Sequence, residues 1–523
     1  MSDSAVVESG TRLQNFLDRA GLRGFPWKTA TILYTISWGW LFIVHDSLWW
    51  DDWSILNFST WSKSFKPSGH PPWTRFYHDV AREFDPLLLR TVVFVAFFVC
   101  GLFVFAIVRR LLSDAGVSDD KCCRYVAILF LLIPINTTRV SLNLFVYTVA
   151  VFYFFLAWYL AVFSEIKSTV GLSCLLFFLS FQMPALIPFF VLPLIHIIYN
   201  LKIESSYRRL KSWDFWRITL IAMCPIIYLG VRELFFPNLQ ENYKLKIQKI
   251  DDALWQILGA VAICLVYFKK FSSRKNVESL LLIFGLNAVV FGLTAFVATN
   301  QIGQRLWIKY PTMIFGRSGW FGRHLILQPL GIALVAVGSV GLIFKFSDQI
   351  KRLILNVIVA LCVLMNVGFG FEYVVDYQKQ IRIVKEIRNG RRATFDSWTF
   401  IDETMLLNAR GRTYSLHDWI GIVSNGSLTS LDIENVDFDD LERRNFIRNS
   451  CNPSAQSSDV SVVVNIRGPE THWDALKNWV SDGDMGFRVT VDDTPGACKP
   501  EMVTSEKVSG AIPILFYFTG AKG

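Results

Sequence analysis

Two adjacent carboxylates, Asp51 and Asp52, stand among three tryptophans in the stretch SLWWDDWSIL, directly after the apolar run KTATILYTISWGWLFIVH. A solvated loop has no need of three tryptophans, and a buried loop does not carry two like charges without a partner or a chemical role. A carboxylate placed at a membrane surface can act as a general base that removes the proton of a hydroxyl group. The other interpretation is that the pair caps a short helix over SILNFSTW. The flanking tryptophans favour catalysis.

Cationic side chains gather in segments that the pattern of loops places on the same side of the membrane. Four of them lie in one loop, QRLWIKYPTMIFGRSGWFGR, and another follows the third apolar run. Guanidinium groups suit a phosphate leaving group, because they bind its oxygens with charge-assisted hydrogen bonds. The other interpretation is that these residues are loop charges that extend to the interface. We predict that the donor phosphate is bound by Arg139, Arg305, Lys309, Arg317 and Arg323.

The first predicted outer loop also contains SGHPPWTRFYHDVAREFDP, which mixes aromatic, basic and acidic residues. The apolar faces of a sugar ring lie well on tryptophan and tyrosine rings, so this loop predicts a sugar site. The histidines are predicted to be hydrogen-bonding residues of the loop, since no histidine or cysteine set has metal-site spacing. The need for a divalent cation stays open. The candidate substrate-binding residues are Trp50, Trp53, His70, Arg75, Tyr77, His78 and Asp79.

The elements that must position these residues are membrane spans. The composition, with 52% hydrophobic, 15% aromatic and 18% charged residues in 523, excludes one ordinary soluble domain. A span needs roughly 20 mostly apolar residues. About eleven such runs occur, near 28–46, 87–109, 124–136, 142–163, 169–182, 184–200, 215–234, 253–268, 277–299, 324–346 and 353–372. The predicted fold is therefore an all-α polytopic membrane domain over 28–372.

The orientation follows from lysine and arginine, which concentrate in alternate short loops. With a cytoplasmic segment 1–27, the first outer loop (46–86) and the loop 300–323 face the exterior. The net charge of +9 is explained by inward basic loops that contact anionic lipid headgroups, so we predict membrane lipids and no nucleic acid as partners.

The region 373–523 is a different kind of sequence, richer in Asp, Asn, Ser and Thr. Alternating apolar residues predict strands over 460–468, 487–493 and 512–518, and helical spacing predicts a helix over 469–483. A helix over YQKQIRIVKEIRNG is predicted to continue the last span. We expect a small α/β domain outside the membrane, in which Cys451 and Cys498 form a candidate disulfide.

This arrangement resembles the GT-C glycosyltransferases that use polyprenyl-phosphate sugars. In particular, WWDDW followed about twenty residues later by SGHPPWTRFY is similar to the bacterial members that modify O-antigens and other cell-surface glycans. Many relatives have Gly-Arg-Pro where this chain has Gly69-His70-Pro71. The resemblance implies inverting transfer of a monosaccharide to a glycan or glycolipid acceptor, with Asp51 or Asp52 as the base. It also implies a bacterial inner membrane, with the site facing the periplasm.

Two other functions stay open from the sequence. A flippase for lipid-linked glycans is expected to carry charges at mid-membrane or paired broken helices, and neither pattern is evident. A polysaccharide polymerase or ligase is expected to rely on arginines and a histidine in a late outer loop. The acidic pair in the first outer loop favours the monosaccharide transferase over both.

Overall fold

The computed structural model describes residues 20–45, 47, 49, 52, 66, 69–117, 119–163, 166–204, 212–237, 239, 277–297, 325–345, 347–389, 397–402, 461–469 and 471–492. The described chain is mostly helical and divides into two compact units. The first unit comprises Met1–Gly39, Ser59–Val140 and Leu144–Val367. The second unit comprises Trp40–Phe58, Ser141–Asn143 and Gly368–Gly523.

Thirteen α-helices of the described residues lie in the predicted membrane domain, and the last of them extends beyond it. In chain order they are α1 (Trp27–Trp38), α2 (Trp40–Ile43), α3 (Trp73–Glu83), α4 (Pro86–Asp114), α5 (Asp120–Leu132), α6 (Phe145–Phe163), α7 (Lys167–Ser180), α8 (Leu186–Phe189), α9 (Val191–Glu204), α10 (Ser212–Phe235), α11 (Val277–Val297), α12 (Gln328–Ile343) and α13 (Asp348–Asn389).

Four segments of these helices are long and apolar enough to cross a membrane: Pro86–Asp114, Phe145–Phe163, Phe215–Phe235 and Asp348–Ile383. Shorter apolar helices occupy Lys167–Ser180, Leu186–Ile198, Val277–Gly292 and Gln328–Ile343. Ten of the predicted apolar runs thus coincide with helices, whereas the run 253–268 lies outside the described residues.

Helix α4 shows why such a run becomes a span. It begins after Asp85, whose carboxylate accepts a hydrogen bond of 2.7 Å from the Leu87 N–H, and Pro86 stands at its first position. Leu88, Val92 and Val95 are exposed at helical spacing along one side, as a lipid-facing stripe requires. Other side chains of α4 pack against α5 and α6.

The core of the first unit centres on α6, which packs between α4 and α7 and buries Phe154, Phe155 and Trp158. Helices α11 and α12 pack closely against each other. A Cβ added at Gly331 would lie 2.7 Å from the Val289 nitrogen, so glycine is needed there. Small residues of this kind let membrane helices pack by van der Waals contact.

The second unit is organised around the end of α13, from Gly368 onward. Strands β1 (Ser397–Asp402), β2 (Ser461–Arg467) and β3 (Arg488–Asp492) form a sheet in the order β1-β2-β3, parallel between β1 and β2 and antiparallel between β2 and β3. Helix α14 (His472–Asp482) follows β2, begins at the Thr471 cap and ends at Gly483, whose φ is 72°.

The elements of this region agree in part with the sequence predictions. The strands β2 and β3, the helix α14 and the continuation of α13 to Asn389 lie where the pattern placed them. Strand β1 was not predicted, and the predicted strand 512–518 lies outside the described residues. The side chains of Val375, Ala475 and Phe487 pack α14 and the strand β3 region onto α13.

Candidate functional site

Asp52 is completely buried in the second unit, and hydrogen bonds fix its carboxylate. One oxygen accepts from the Trp49 backbone N–H at 3.0 Å, and the other accepts from the Ser141 hydroxyl at 2.5 Å. The Asp52 N–H in turn donates to the Trp49 carbonyl at 2.9 Å. A side chain that reaches back to the N–H three residues earlier is the acidic half of a capping box. Asp52 therefore stabilises its own turn and ties it to Ser141.

The turn that carries Asp52 rests on an aromatic support within the same unit. The Trp49 indole is buried, donates to the Ser47 hydroxyl at 2.6 Å and meets the Tyr373 ring edge-on at 5.0 Å. The other side of Tyr373 is covered by Trp40, stacked at 4.9 Å. Gly370 makes room for this stack, because a Cβ there would lie 2.4 Å from Trp40 Cδ1. Helix α13 therefore positions the acidic turn.

One turn further along α13, the same helix anchors the C-terminal elements. Asp376 is buried, and its carboxylate faces His472 Nε2 of α14 at 3.3 Å. On the exposed side, Arg382 donates to Asp484 at 2.6 Å. The acidic turn and the α14 region are therefore attached to successive turns of one helix.

Arg139 lies in the first unit, in the 3-10 turn Thr137–Val140, and is only 2% exposed. Its guanidinium carbon lies 3.5 Å from the centre of the Trp38 ring and 3.9 Å from that of Phe97, so the cation is sandwiched between two aromatic faces. Nε donates to the Asn136 carbonyl at 3.0 Å. Among the described residues, neither of its two terminal nitrogens has a hydrogen-bond partner.

This guanidinium remains charged at neutral pH although it is buried. Burial lowers its pKa to about 10, and the neighbouring Tyr34 opposes that shift. The turn itself is held by buried Arg90 of α4, whose Nη2 donates to the Val140 carbonyl at 3.2 Å. Among the described residues, aromatic faces contact this buried charge.

Helix α3 carries the remaining candidates of the first outer loop. Arg75 and Asp79 pair with each other at 3.3 Å on its exposed side. Tyr77 is buried, and its hydroxyl donates to that of Tyr153 at 3.5 Å. Burial, reinforced by Tyr153, raises the pKa of the Tyr77 hydroxyl, so it stays protonated and able to donate. The structure thus brings Arg75 and Asp79 together and turns Tyr77 inward.

The approach to α3 is a tight bend at the Gly69-His70-Pro71 sequence. Gly69 has φ 78°, a conformation that favours glycine, and the Thr74 hydroxyl donates to the Pro71 carbonyl at 2.7 Å. His70 is half-buried within this bend. The motif therefore leads directly into the start of helix α3.

Several predicted residues cannot be placed. The side chain of His78 lies outside the described part of the chain. So do all atoms of Asp51, Trp50, Trp53, Arg305, Lys309, Arg317, Arg323, Cys451 and Cys498. The described cysteines are free thiols, and the described residues contain no group of three or more metal-ligating side chains.

Three residues that contribute to these arrangements were missed by the sequence analysis: Ser141, Tyr373 and Tyr153. Ser141 follows the cationic turn TTRV, and its polarity between two apolar runs was the available signal. The two tyrosines sit in apolar helices, where an aromatic residue usually indicates core packing.

The chain was compared with protein-family models, with curated proteins and with solved structures, and none of these comparisons found a match.

Proposed function

We propose that this protein is a membrane glycosyltransferase that moves a monosaccharide from a polyprenyl-phosphate donor to a glycan or glycolipid acceptor, on the outer face of the membrane. The observation that carries the proposal is the fixed, fully buried Asp52 in a turn that follows the first apolar helix. Burial of a carboxylate is costly unless the group is bonded and used. Asp51, the adjacent carboxylate in the sequence, is proposed to act together with it.

The two carboxylates are proposed to have separate roles. A general base needs an oxygen that the acceptor hydroxyl can reach. Both Asp52 oxygens accept hydrogen bonds and its side chain is fully buried, which favours a positioning role. Asp51 is then the residue that removes the acceptor proton. The acceptor oxygen attacks the anomeric carbon from the face opposite the phosphate, the bond to the phosphate oxygen breaks, and the sugar configuration inverts.

Arg139 is proposed to contact the departing phosphate. Its two terminal nitrogens have no hydrogen-bond partner among the described residues, while the stack on Trp38 and Phe97 fixes the plane of the guanidinium. A planar, charged group with donors to spare suits bidentate binding of phosphate oxygens. The loop cations Arg305, Lys309, Arg317 and Arg323 are proposed to complete the phosphate site.

The proposed topology has about eleven spans, a cytoplasmic N-terminus and an α/β domain at 373–523 outside a bacterial inner membrane. Support comes from helices at ten of the predicted apolar runs and from the alternation of basic loops. The β-strands and α14, attached to the end of α13, support a separate C-terminal domain.

The experiment that tests the proposal is transfer by purified protein in nanodiscs, with polyprenyl-phosphate hexose as donor and membrane glycolipids as acceptors. Loss of positioned proton transfer costs on the order of 10²–10⁴ in rate, so Asp51→Asn should be nearly inactive and still bind donor. Asp85→Asn is the matched control, because asparagine caps a helix as well as aspartate does. Near-normal turnover of Asp51→Asn would remove the proposed base.

A further inference from the structure

A buried polar side chain, Gln182, lies in the turn after α7 and is only 3% exposed. Within the described part of the chain, neither its amide nitrogen nor its amide oxygen has a hydrogen-bond partner. An unsatisfied buried amide destabilises a fold, and native structures keep very few of them. In the sequence, Gln182 is the polar residue of FQMPALIPFF, a stretch that is otherwise apolar and is interrupted by two prolines. Such a group needs an explanation.

The surroundings of Gln182 contain further polar atoms directed inward from α3. The Gln182 amide lies close enough to the buried Tyr77 hydroxyl for a hydrogen-bonding interaction that lowers the pKa of Tyr77 against the larger effects of burial and Tyr153, although no hydrogen bond of standard geometry joins the two side chains. The Tyr77 hydroxyl also meets the Tyr153 hydroxyl at 3.5 Å, which is the outer limit of a hydrogen bond. These phenol groups are therefore held together weakly and have capacity for stronger partners.

Trp73, one helical turn before Tyr77, adds an aromatic side chain to the same side of α3. Its ring packs against Phe178 of α7 at 5.9 Å and against Phe236 at 5.8 Å. Its indole nitrogen is buried and, among the described residues, has no hydrogen-bond acceptor. Helices α3, α6 and α7 thus bring an indole N–H, an amide and two phenols to one region.

We infer that Trp73, Tyr77, Tyr153 and Gln182 form a subsite that binds the hydroxyl groups of a hexose. A sugar hydroxyl is both a donor and an acceptor, so it can satisfy the amide oxygen and the amide nitrogen of one glutamine at once. Phenols and an indole N–H serve the neighbouring hydroxyls, and aromatic surfaces cover the apolar ring face. The inference rests on the proposed function for its biological meaning, because it names the residues of the first unit that would bind the transferred or the accepting sugar.

A structural role for Gln182 makes the opposite prediction about stability. If Gln182 supported the fold, replacing it by leucine would destabilise the protein. If it waits for a ligand, Gln182→Leu removes an unsatisfied amide and should leave the melting temperature equal or higher. Ligand binding should nevertheless weaken about tenfold or more, which is the effect of one lost hydrogen bond in a buried site.

The test measures binding to protein in sugar-free nanodiscs, by saturation-transfer NMR and by ligand-dependent melting. The probes are the methyl glycosides of glucose, galactose and mannose, followed by polyprenyl-phosphate glucose. At least one methyl glycoside should bind the natural chain and bind Gln182→Leu at least tenfold more weakly. Ser180→Ala is the control, because Ser180 is a buried residue two positions away with a local hydrogen bond to the Phe177 carbonyl. It should bind the sugar normally.

The outcomes separate this subsite from the transferase mechanism. Binding of the sugar without any transfer would overturn the proposed reaction and keep the subsite. Transfer with unchanged binding by Gln182→Leu would overturn the subsite and keep the reaction. A lower melting temperature of Gln182→Leu, or no binding of any probe by the natural chain, would also overturn the subsite. The Michaelis constants measured during transfer show which sugar the subsite binds. Gln182→Leu should raise the constant for the donor if the subsite binds the donor sugar, and the constant for the acceptor if it binds the acceptor sugar.

Discussion

The two roles assigned to the acidic pair predict a graded response to substitutions at Asp52. The Asp52 carboxylate accepts two hydrogen bonds, from the Trp49 N–H and the Ser141 hydroxyl. Hydrogen bonds to a charged acceptor contribute about 1.5–3 kcal/mol each, whereas neutral ones contribute about 0.5–1.5 kcal/mol. In Asp52→Asn the amide oxygen can still accept from Trp49, and its NH₂ can donate to the Ser141 oxygen, since a hydroxyl also accepts. Both bonds survive in neutral form.

The expected costs follow from this count. Asp52→Asn should lower the free energy of unfolding by about 2 kcal/mol, because two charge-assisted bonds become neutral. Asp52→Ala loses both bonds and leaves a buried N–H without its acceptor, so it should cost about 3–6 kcal/mol. Ser141→Ala removes one of the two bonds and should cost about 1.5–3 kcal/mol. Ser180→Ala, which loses only a local bond, should cost less than Ser141→Ala.

Thermal unfolding in detergent measures these differences in stability. Turnover in nanodiscs tests whether Asp52 is the general base. Asp52→Asn should retain turnover within about tenfold of the natural chain, because it keeps the geometry and Asp52 is not the base. A general base replaced by asparagine would instead lose on the order of 10²–10⁴ in rate. If Asp52→Asn lost that much turnover while it was still folded at the assay temperature, Asp52 would be the base and the reasoning from its buried, bonded oxygens would fail.

Three further predictions concern the elements around these residues. Arg139→Lys keeps the charge and loses the planar stack, so the Michaelis constant for the polyprenyl-phosphate donor should rise about tenfold, and an unchanged constant would argue against a phosphate contact. Gly370→Ala forces a methyl group against Trp40, and thermal unfolding should show a loss of about 1–3 kcal/mol. Gly331→Val should destabilise the packing of α11 against α12 by a similar amount. Gly171→Ala is the control: nothing lies within 4 Å of the added Cβ, so the variant should be more stable by up to about 1 kcal/mol. Equal melting temperatures for these two variants would contradict the described packing.

Helix positions were predictable because hydrophobicity is a local property of the sequence. The run over 87–109 predicts α4, which spans Pro86–Asp114 and ends in basic and acidic residues. Breaks within runs depend on the tertiary structure and were not predictable. For example, α1 ends before Gly39 and α2 begins after it, although the sequence has no proline or polar cluster there that would predict the break.

The sequence could indicate single residues of the candidate site, but not which residues contact each other there. Two adjacent carboxylates among tryptophans predicted a catalytic base or a helix cap, and the structure shows Asp52 buried and hydrogen-bonded within its own turn. The identity of a partner is set by the fold, because Ser141 is 89 residues away in the chain. Arg139 shows the same limit, because the sequence pattern does not indicate that Trp38 and Phe97 lie against its guanidinium.

Strand β1 was missed for a related reason. Its sequence, SWTFID, is short. It follows the charged stretch NGRRATFD, whose composition indicates a loop. Its pairing with β2 is parallel and comes from a segment some sixty residues later, with Ser397 opposite Ser461. Parallel pairing over such a distance leaves no hairpin signal in the sequence.

The most direct test of the proposed function is the fate of a polyprenyl-phosphate hexose labelled with ¹³C at its anomeric carbon. The labelled donor is incubated with the purified protein in nanodiscs and with membrane glycolipids, and NMR follows the anomeric signal while mass spectrometry follows the free polyprenyl phosphate. We expect one polyprenyl phosphate for each hexose transferred, with the anomeric configuration inverted, and neither product with Asp51→Asn. A donor that stays intact with the natural protein, or a hexose that arrives with its configuration retained, would contradict the proposed mechanism.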